Sequence, residues 1–228
     1  MNSTRLLVFA VGLILLSGHV TSAQDMSRYR VYVLESSLDS VVAASGARAA
    51  DAKTLYVRPA TIQDLEWRAP YLGSGTTLAD PVREIVFRFY NDALYQIVVS
   101  YERDRTEGLT DRDIIESISA VYGMHTLASA RTWASPPPEV LPDSIVLARW
   151  ENAESMLTLV RGAYGPEFQL ILMSKPLSTR ARSAIKEAIR LDAIEAPRRE
   201  AEQRKKDASD ASSARDKTHA TNKAAFRP

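Results

Sequence analysis

Glu84-Ile85-Val86-Phe87-Arg88-Phe89-Tyr90-Asn91-Asp92-Ala93-Leu94-Tyr95-Gln96-Ile97-Val98-Val99-Ser100-Tyr101 is the stretch on which the fold turns. Ile85, Phe87 and Phe89 alternate with Glu84, Val86, Arg88 and Tyr90. After Asn91-Asp92, Tyr95, Ile97, Val99 and Tyr101 alternate with Gln96, Val98 and Ser100. Successive side chains of a strand point to opposite faces, so this period of two, broken by a polar pair, predicts an antiparallel hairpin with one apolar face. That face needs a cover, and the following segment supplies one. Thr110 with Asp113 resembles a capping box, with Asp in place of the usual Glu. Ile114, Ile115, Ile118, Val121 and Tyr122 then form a helical stripe that Gly123 ends.

Working outward towards the N-terminus, Lys53 to Arg58 reads as a strand stopped by Pro59, and Thr61 to Trp67 fits a helical turn or an extended piece equally. Ser36 and Ser37 cap a short helix with Leu38, Val41 and Val42 on one face and Gly46 at its end, preceded by a strand at Tyr29 to Leu34. Tyr71 to Asp80 is a loop on its glycines. Towards the C-terminus, the prolines of Trp133 to Pro142 exclude helix and central strand. Three strands follow as a meander, Ile145 to Glu151, Met156 to Arg161 and Phe168 to Ser174, with turns at Asn152-Ala153 and Gly162 to Pro166. Ser178 or Thr179 is expected to cap a helix carrying Ala181, Ala184, Ile185, Ala188, Ile189 and Ile194, which Pro197 ends or kinks.

The two ends differ from this body. Met1 to Ala23 has the form of an export signal: Arg5, the apolar run Leu6 to Leu16 interrupted only by Gly12, and small residues at Thr21-Ser22-Ala23. An apolar run of about 11 residues falls short of the roughly 20 that span a bilayer, so cleavage near Gln24 is expected over a permanent anchor, and a periplasmic or extracellular location with it. About 205 residues then remain, enough for a real core. The chain has no cysteine, so that core forms without disulfides. Leaving out Arg5, the 29 basic residues become 28, balancing 28 acidic ones. From Ala196 to Pro228 there are 9 basic and 5 acidic residues and no large apolar residue before Phe226. Such a tail, 196–228, cannot bury a face and is expected to be disordered or a frayed helix.

The chain also matches itself. Ile85-Val86-Phe87-Arg88-Phe89-Tyr90-Asn91-Asp92-Ala93 lines up with Ile145-Val146-Leu147-Ala148-Arg149-Trp150-Glu151-Asn152-Ala153, and each hairpin follows a short helix ending in glycine. Two tandem units, about 29–101 and 110–195, are expected to build one α+β, sheet-based domain across 24–195. With the opening helix Ser36-Ser-Leu-Asp-Ser-Val-Val-Ala-Ala-Ser-Gly46, this arrangement resembles the exported β-lactamase-inhibitor-protein fold and, more distantly, the small lipoprotein of outer-membrane barrel assembly. Those proteins use disulfides or a lipidated cysteine, and this chain has no Cys. As a whole it also resembles bacterial exported proteins of unassigned function. The resemblance implies architecture and an inhibitor-like or protein-binding role.

Motifs for chemistry are sparse. His125 is the single histidine of the body, no Gly-x-Ser-x-Gly elbow accompanies it, and a lone histidine just past a helix stop is first of all an ordinary surface or capping residue. Asp111 and Asp113 are explained by the helix dipole and capping rather than by a metal. Gly73-Ser74-Gly75-Thr76-Thr77 lacks the Lys of a phosphate loop. No catalytic residue, metal or cofactor is therefore expected, and no nucleic acid. What remains is the hairpin's second face. Arg88, Tyr90 and Val98, joined through the self-match by Val146, Ala148 and Trp150, are expected to form an aromatic-plus-Arg face on an open sheet that binds an unknown protein or envelope component. A structural or assembly accessory of the envelope is the alternative reading, with a hydrolase a distant third.

Overall fold

The computed structural model describes residues 25–69, 80–127, 144–162 and 167–227. The expected signal, the glycine loop before Asp80, the whole proline-rich connection Trp133 to Pro142 and the turn after Gly162 as far as Pro166 lie outside these residues.

The central hairpin forms as expected. β5 (Val82–Tyr90) and β6 (Ala93–Tyr101) pair antiparallel, with Tyr90 opposite Ala93. Asn91 (φ 47°) and Asp92 (φ 67°) both adopt positive φ, the conformation a tight two-residue turn needs and one that Asn and Asp tolerate. The Asn91 carboxamide oxygen accepts from the Thr61 amide and the Asp92 carboxylate from the Leu38 amide, both at 2.9 Å. The turn thereby anchors the start of β4 (Ile62–Arg68) and of α1 (Leu38–Ser45).

The described residues form an α+β fold built on one large antiparallel sheet, with a separate two-stranded hairpin. Chain order runs through a two-residue hairpin, β1 (Arg28–Tyr29) and β2 (Tyr32–Val33), then α1, β3 (Lys53–Tyr56), β4, β5, β6, a short α2 (Arg103–Thr106) and α3 (Asp111–Tyr122). β7 (Thr126–Leu127), β8 (Ser144–Glu151), β9 (Ser155–Gly162), β10 (Phe168–Ser174) and α4 (Lys175–Ala225) complete it. Spatially the strands lie in the order β3-β4-β5-β6-β10-β9-β8-β7. Two helix-plus-four-strand halves therefore meet at the β6–β10 pair, where Ser100 faces Gln169 and Gln96 faces Met173. The halves match the expected tandem units, but the strand order relates β5–β6 to β9–β10. The self-match of Ile85–Ala93 with the β8 sequence is thus one strand out of step.

Local chemistry explains the helix ends. Ser37 caps α1 and Gly46 closes it at φ 71°. Thr110 and Asp113 make the reciprocal capping box of α3, the Thr110 amide donating to the Asp113 carboxylate at 2.7 Å. Arg161 of β9 donates to Asp111 at 2.8 Å, fixing the start of α3 against that strand. α1 and α3 cover one face of the sheet, where Leu65, Ile85, Phe87, Phe89, Ile97, Val99, Leu157, Leu159, Leu170 and Leu172 form a single buried cluster.

Several expectations are corrected. The segment Tyr29 to Leu34 is not one strand, because Arg30 at φ 54° folds it into the β1–β2 hairpin. The ambiguous Thr61 to Trp67 is strand β4. Tyr95 does not share a face with Ile97: a bulge between the Arg88–Gln96 and Phe89–Leu94 pairs inserts one residue, placing Leu94 with Ile97 and turning Tyr95 to the opposite face. A second bulge, between Val146 and Ala148, does the same in β8. Val146 stays with Val98, whereas Ala148 and Trp150 turn into the helix-covered core. α4 begins at Lys175 with Ser174 as its cap, not at Ser178 or Thr179.

Nor does Pro197 end that helix. Every residue from Pro197 to Ala225 is exposed, yet α4 continues as a charged arm projecting about 45 Å at 1.5 Å per residue. A proline inside a helix forfeits one backbone bond and clashes with the preceding turn, at about 3 kcal/mol. Arg199 reaches back across it to Asp192 (2.6 Å) and Glu195 (3.4 Å), and Glu195 also holds Arg58 of the body at 2.9 Å. Beyond, Glu200–Arg204 and Arg198–Glu202 pairs one turn apart, with alanines between, favour the helix.

Candidate functional site

The opposite face of the sheet, which the first turns of α4 cross, has another composition. Asp64, Arg88 and Gln96 stand side by side on β4, β5 and β6. The Arg88 Nε lies 3.5 Å from the Asp64 carboxylate, and an Arg88 terminal nitrogen donates to the Gln96 carboxamide oxygen at 3.0 Å. Burial pushes the Asp64 carboxyl above its ordinary range, against the pull of the Arg88 charge. One row along, Thr158 of β9 faces Arg149 of β8, whose guanidinium burial shifts downward.

Six buried polar atoms among the described residues make no hydrogen bond: Asp64 Oδ1, Arg88 Nε, Gln96 Nε2, Arg149 Nε, Thr158 Oγ1 and, on α4, Ser178 Oγ. All six belong to this face. Each such group costs on the order of 1–3 kcal/mol when nothing satisfies it, so their concentration on one side is not a packing requirement.

Two apolar clusters flank the polar row. Ile62, Tyr95 and Ala181 pack with Tyr56, Tyr90, Leu177 and Ile185, seating α4 on β4 to β6. Val160, Ile171 and Met173 pack with Val98, Val146 and Met156. Beside α4 a groove of about 610 Å³ opens between sheet and helix, lined by Arg88, Tyr95, Thr179, Arg182, Ser183, Ile185 and Lys186.

The structure therefore divides the four sequence-derived site residues. Arg88 lies on this face and lines the groove. Tyr90 and Val98 share the face but are half-buried, one against α4 and one in the Val160 cluster. The face is covered there, not open. Trp150 is on the other side, 1% exposed, with its indole N–H donating to the Gly123 carbonyl at 3.1 Å. It ties the end of α3 to the sheet and offers nothing to a partner. Asp64, Gln96, Thr179, Arg182, Ser183 and Lys186 were not anticipated. For the four on α4 the spacing 179, 182, 183, 186 was the one visible signal, a polar stripe of helical period.

His125 is also accounted for. Its Nδ1 hydrogen-bonds the Ser119 hydroxyl at 3.0 Å and its ring lies 5.7 Å from that of Trp150, which places it as a bracket at the end of α3, away from the groove. Near β1, Arg30 forms a bidentate pair with Asp80 at 2.6 and 2.8 Å and lies over the Tyr29 ring. Burial raises the phenol of Tyr101 and pushes that of Tyr122 up to about 12, so both stay protonated. Among the described residues no cluster of three acids or histidines converges as a metal site, and no helix is long and apolar enough to cross a membrane.

Comparison with family models, curated proteins and solved structures finds no match to this chain. Roles for these residues therefore come from geometry.

Proposed function

We propose that the protein is an exported, non-enzymatic binding module whose α+β body takes its partner at the α4 side of the sheet. The supporting observation is the groove itself: long cationic and hydroxyl side chains over a buried polar row, with the body's histidine engaged on the other face. Recognition is what such an arrangement performs, since a shallow polar rim beside buried apolar clusters gives orientation and contact area without an acid–base pair at a reacting centre. Export through a cleaved signal near Ala23 belongs to the same proposal.

A second reading, an accessory that spans part of a cell envelope, is favoured by the exposed arm of α4, which has the length and charge of a spacer and no apolar stripe.

The test is site-directed photocross-linking in the producing cell. A photoreactive residue at Ser183, on the groove, should give a discrete adduct, and one at Val121, on α3, should give none. Absence of adducts from Ser183 together with adducts from the arm would replace the first reading with the second. An esterase or phosphoesterase activity abolished by His125→Ala would overturn both.

A further inference from the structure

The arm of α4 changes character along its length. From Ala196 to Asp216 six basic residues are interleaved with five acidic ones, and pairs such as Arg204–Glu200 and Arg198–Glu202 form within the helix. Past Asp216 no acidic residue follows. Lys217, Lys223 and Arg227 stand there with His219 and with Phe226, the one large apolar side chain of the arm, 77% exposed. Arg215, Lys217, Lys223 and Arg227 take part in no ion pair among the described residues. Arg215, His219, Lys223 and Phe226 line one shallow concavity along the helix, so cations and ring share a side.

The body has the opposite sign. Residues 24–195 hold 19 basic and 23 acidic residues, whereas 196–228 hold 9 and 5. An anionic surface therefore repels the body and attracts the tip. The arm projects about 45 Å, several times the roughly 8 Å over which physiological salt screens charge, so the two effects do not cancel.

We infer that the tip of α4, from Arg215 to Arg227, is a docking element for the surface of an anionic phospholipid bilayer. Arg215 and Lys223 supply the attraction to lipid phosphates, and Phe226 beside them seats at headgroup level, where aromatic rings are favoured. One ring without an apolar stripe does not draw the helix into the hydrocarbon, so the contact is peripheral and reversible. The inference goes beyond the binding-module reading and does not depend on the groove.

Co-sedimentation of the exported chain, recovered without its signal, with vesicles of equal parts phosphatidylglycerol and phosphatidylcholine tests it. Binding is expected to fade as salt is raised and to be absent from pure phosphatidylcholine vesicles. Each basic residue at such a surface is worth about fivefold in affinity, so the Arg215→Ala and Lys223→Ala double variant should bind tenfold or more weakly, with a flatter salt dependence. Phe226→Ser should weaken binding several-fold and leave the salt dependence unchanged. The Lys53→Ala and Lys186→Ala double variant, which removes the same charge from the exposed surface of the body, should bind as the parent does. All these positions are exposed, and thermal melting should confirm that the variants fold. No binding to the anionic vesicles, equal binding to the neutral ones, affinity retained in the tip double variant, or equal loss in the body double variant would overturn the inference. Capture of duplex DNA in place of vesicles would overturn it too, in favour of a nucleic-acid arm. Each of those outcomes leaves the Ser183 cross-linking result standing or falling by itself.

Discussion

The two faces of the sheet are built from the same strands and by opposite rules. Under α1 and α3 the side chains are apolar and interlocked, with Phe87, Phe89 and Trp150 almost wholly removed from water and the indole N–H given an acceptor. On the α4 side are an acid, two arginines, a glutamine and two hydroxyls, and six of their buried atoms make no hydrogen bond among the described residues. One face carries stability and the other tolerates its loss. Substitutions that only remove atoms should therefore act in opposite directions on the two faces.

The largest effect is expected on the helix-covered face. Phe87→Ala and Trp150→Ala should each lower the unfolding free energy by about 3–5 kcal/mol in denaturant titrations, through lost burial and the cavity left behind. A Trp150→Ala cost under about 1 kcal/mol would mean that the indole is not core. At the rim of the same face, Asp80→Asn should cost about 1 kcal/mol at neutral pH, because the pair with Arg30 is partly exposed. Arg30 holds the Asp80 carboxyl below its ordinary value, so the paired form adds stability above the unfolded value of 3.8 and loses it as pH falls through the folded one. Melting curves of the parent and Asp80→Asn should hence converge towards about pH 2. A gap independent of pH would refute the pairing.

On the α4 face, Ser178→Ala and Thr158→Val remove hydroxyls that have no partner. Each should leave stability unchanged or raise it by up to about 1 kcal/mol, measured by the same titrations. A loss above about 1 kcal/mol would show that those hydroxyls are satisfied in solution and that the contrast between faces is overstated. The smallest effect belongs to the arm. Ending the chain at Ala196 should shift the melting temperature by only a degree or two, since nothing beyond that residue is buried. In the full chain, Pro197→Ala should deepen the helical circular-dichroism signal.

Much of this architecture was legible in the sequence because it rests on local chemistry. The Ser37 and Thr110 caps, the Asn91-Asp92 turn and the period of two in β5 are each signalled within a few residues. The faces were harder to read. A bulge adds one residue to a strand without changing its composition, and everything after it inverts. That is why Trp150 was expected outside with Tyr90 and why Tyr95 was expected inside with Ile97. The arm was misread for a related reason. Pro197 carries a strong local prohibition on helix, whereas the ion pairs from Arg199 to Asp192 and Glu195 that straddle it exist only once the helix has formed. As for the groove, Arg88 could be picked out by parity, but its companions come from a helix almost a hundred residues later, and no local pattern links them.

The β6–β10 pair at the middle of the sheet sets the order in which the protein can be finished. β6 is the most deeply buried strand of the first half, yet its outer edge stays unpaired until residue 174 has been made, because the partner is the last strand of the chain. For that interval the first half presents an apolar edge able to accept any strand of matching register, including β10 of another copy. Crowding of nascent chains therefore favours exchange of β10 between molecules, and α4, which follows β10 directly, would travel with it.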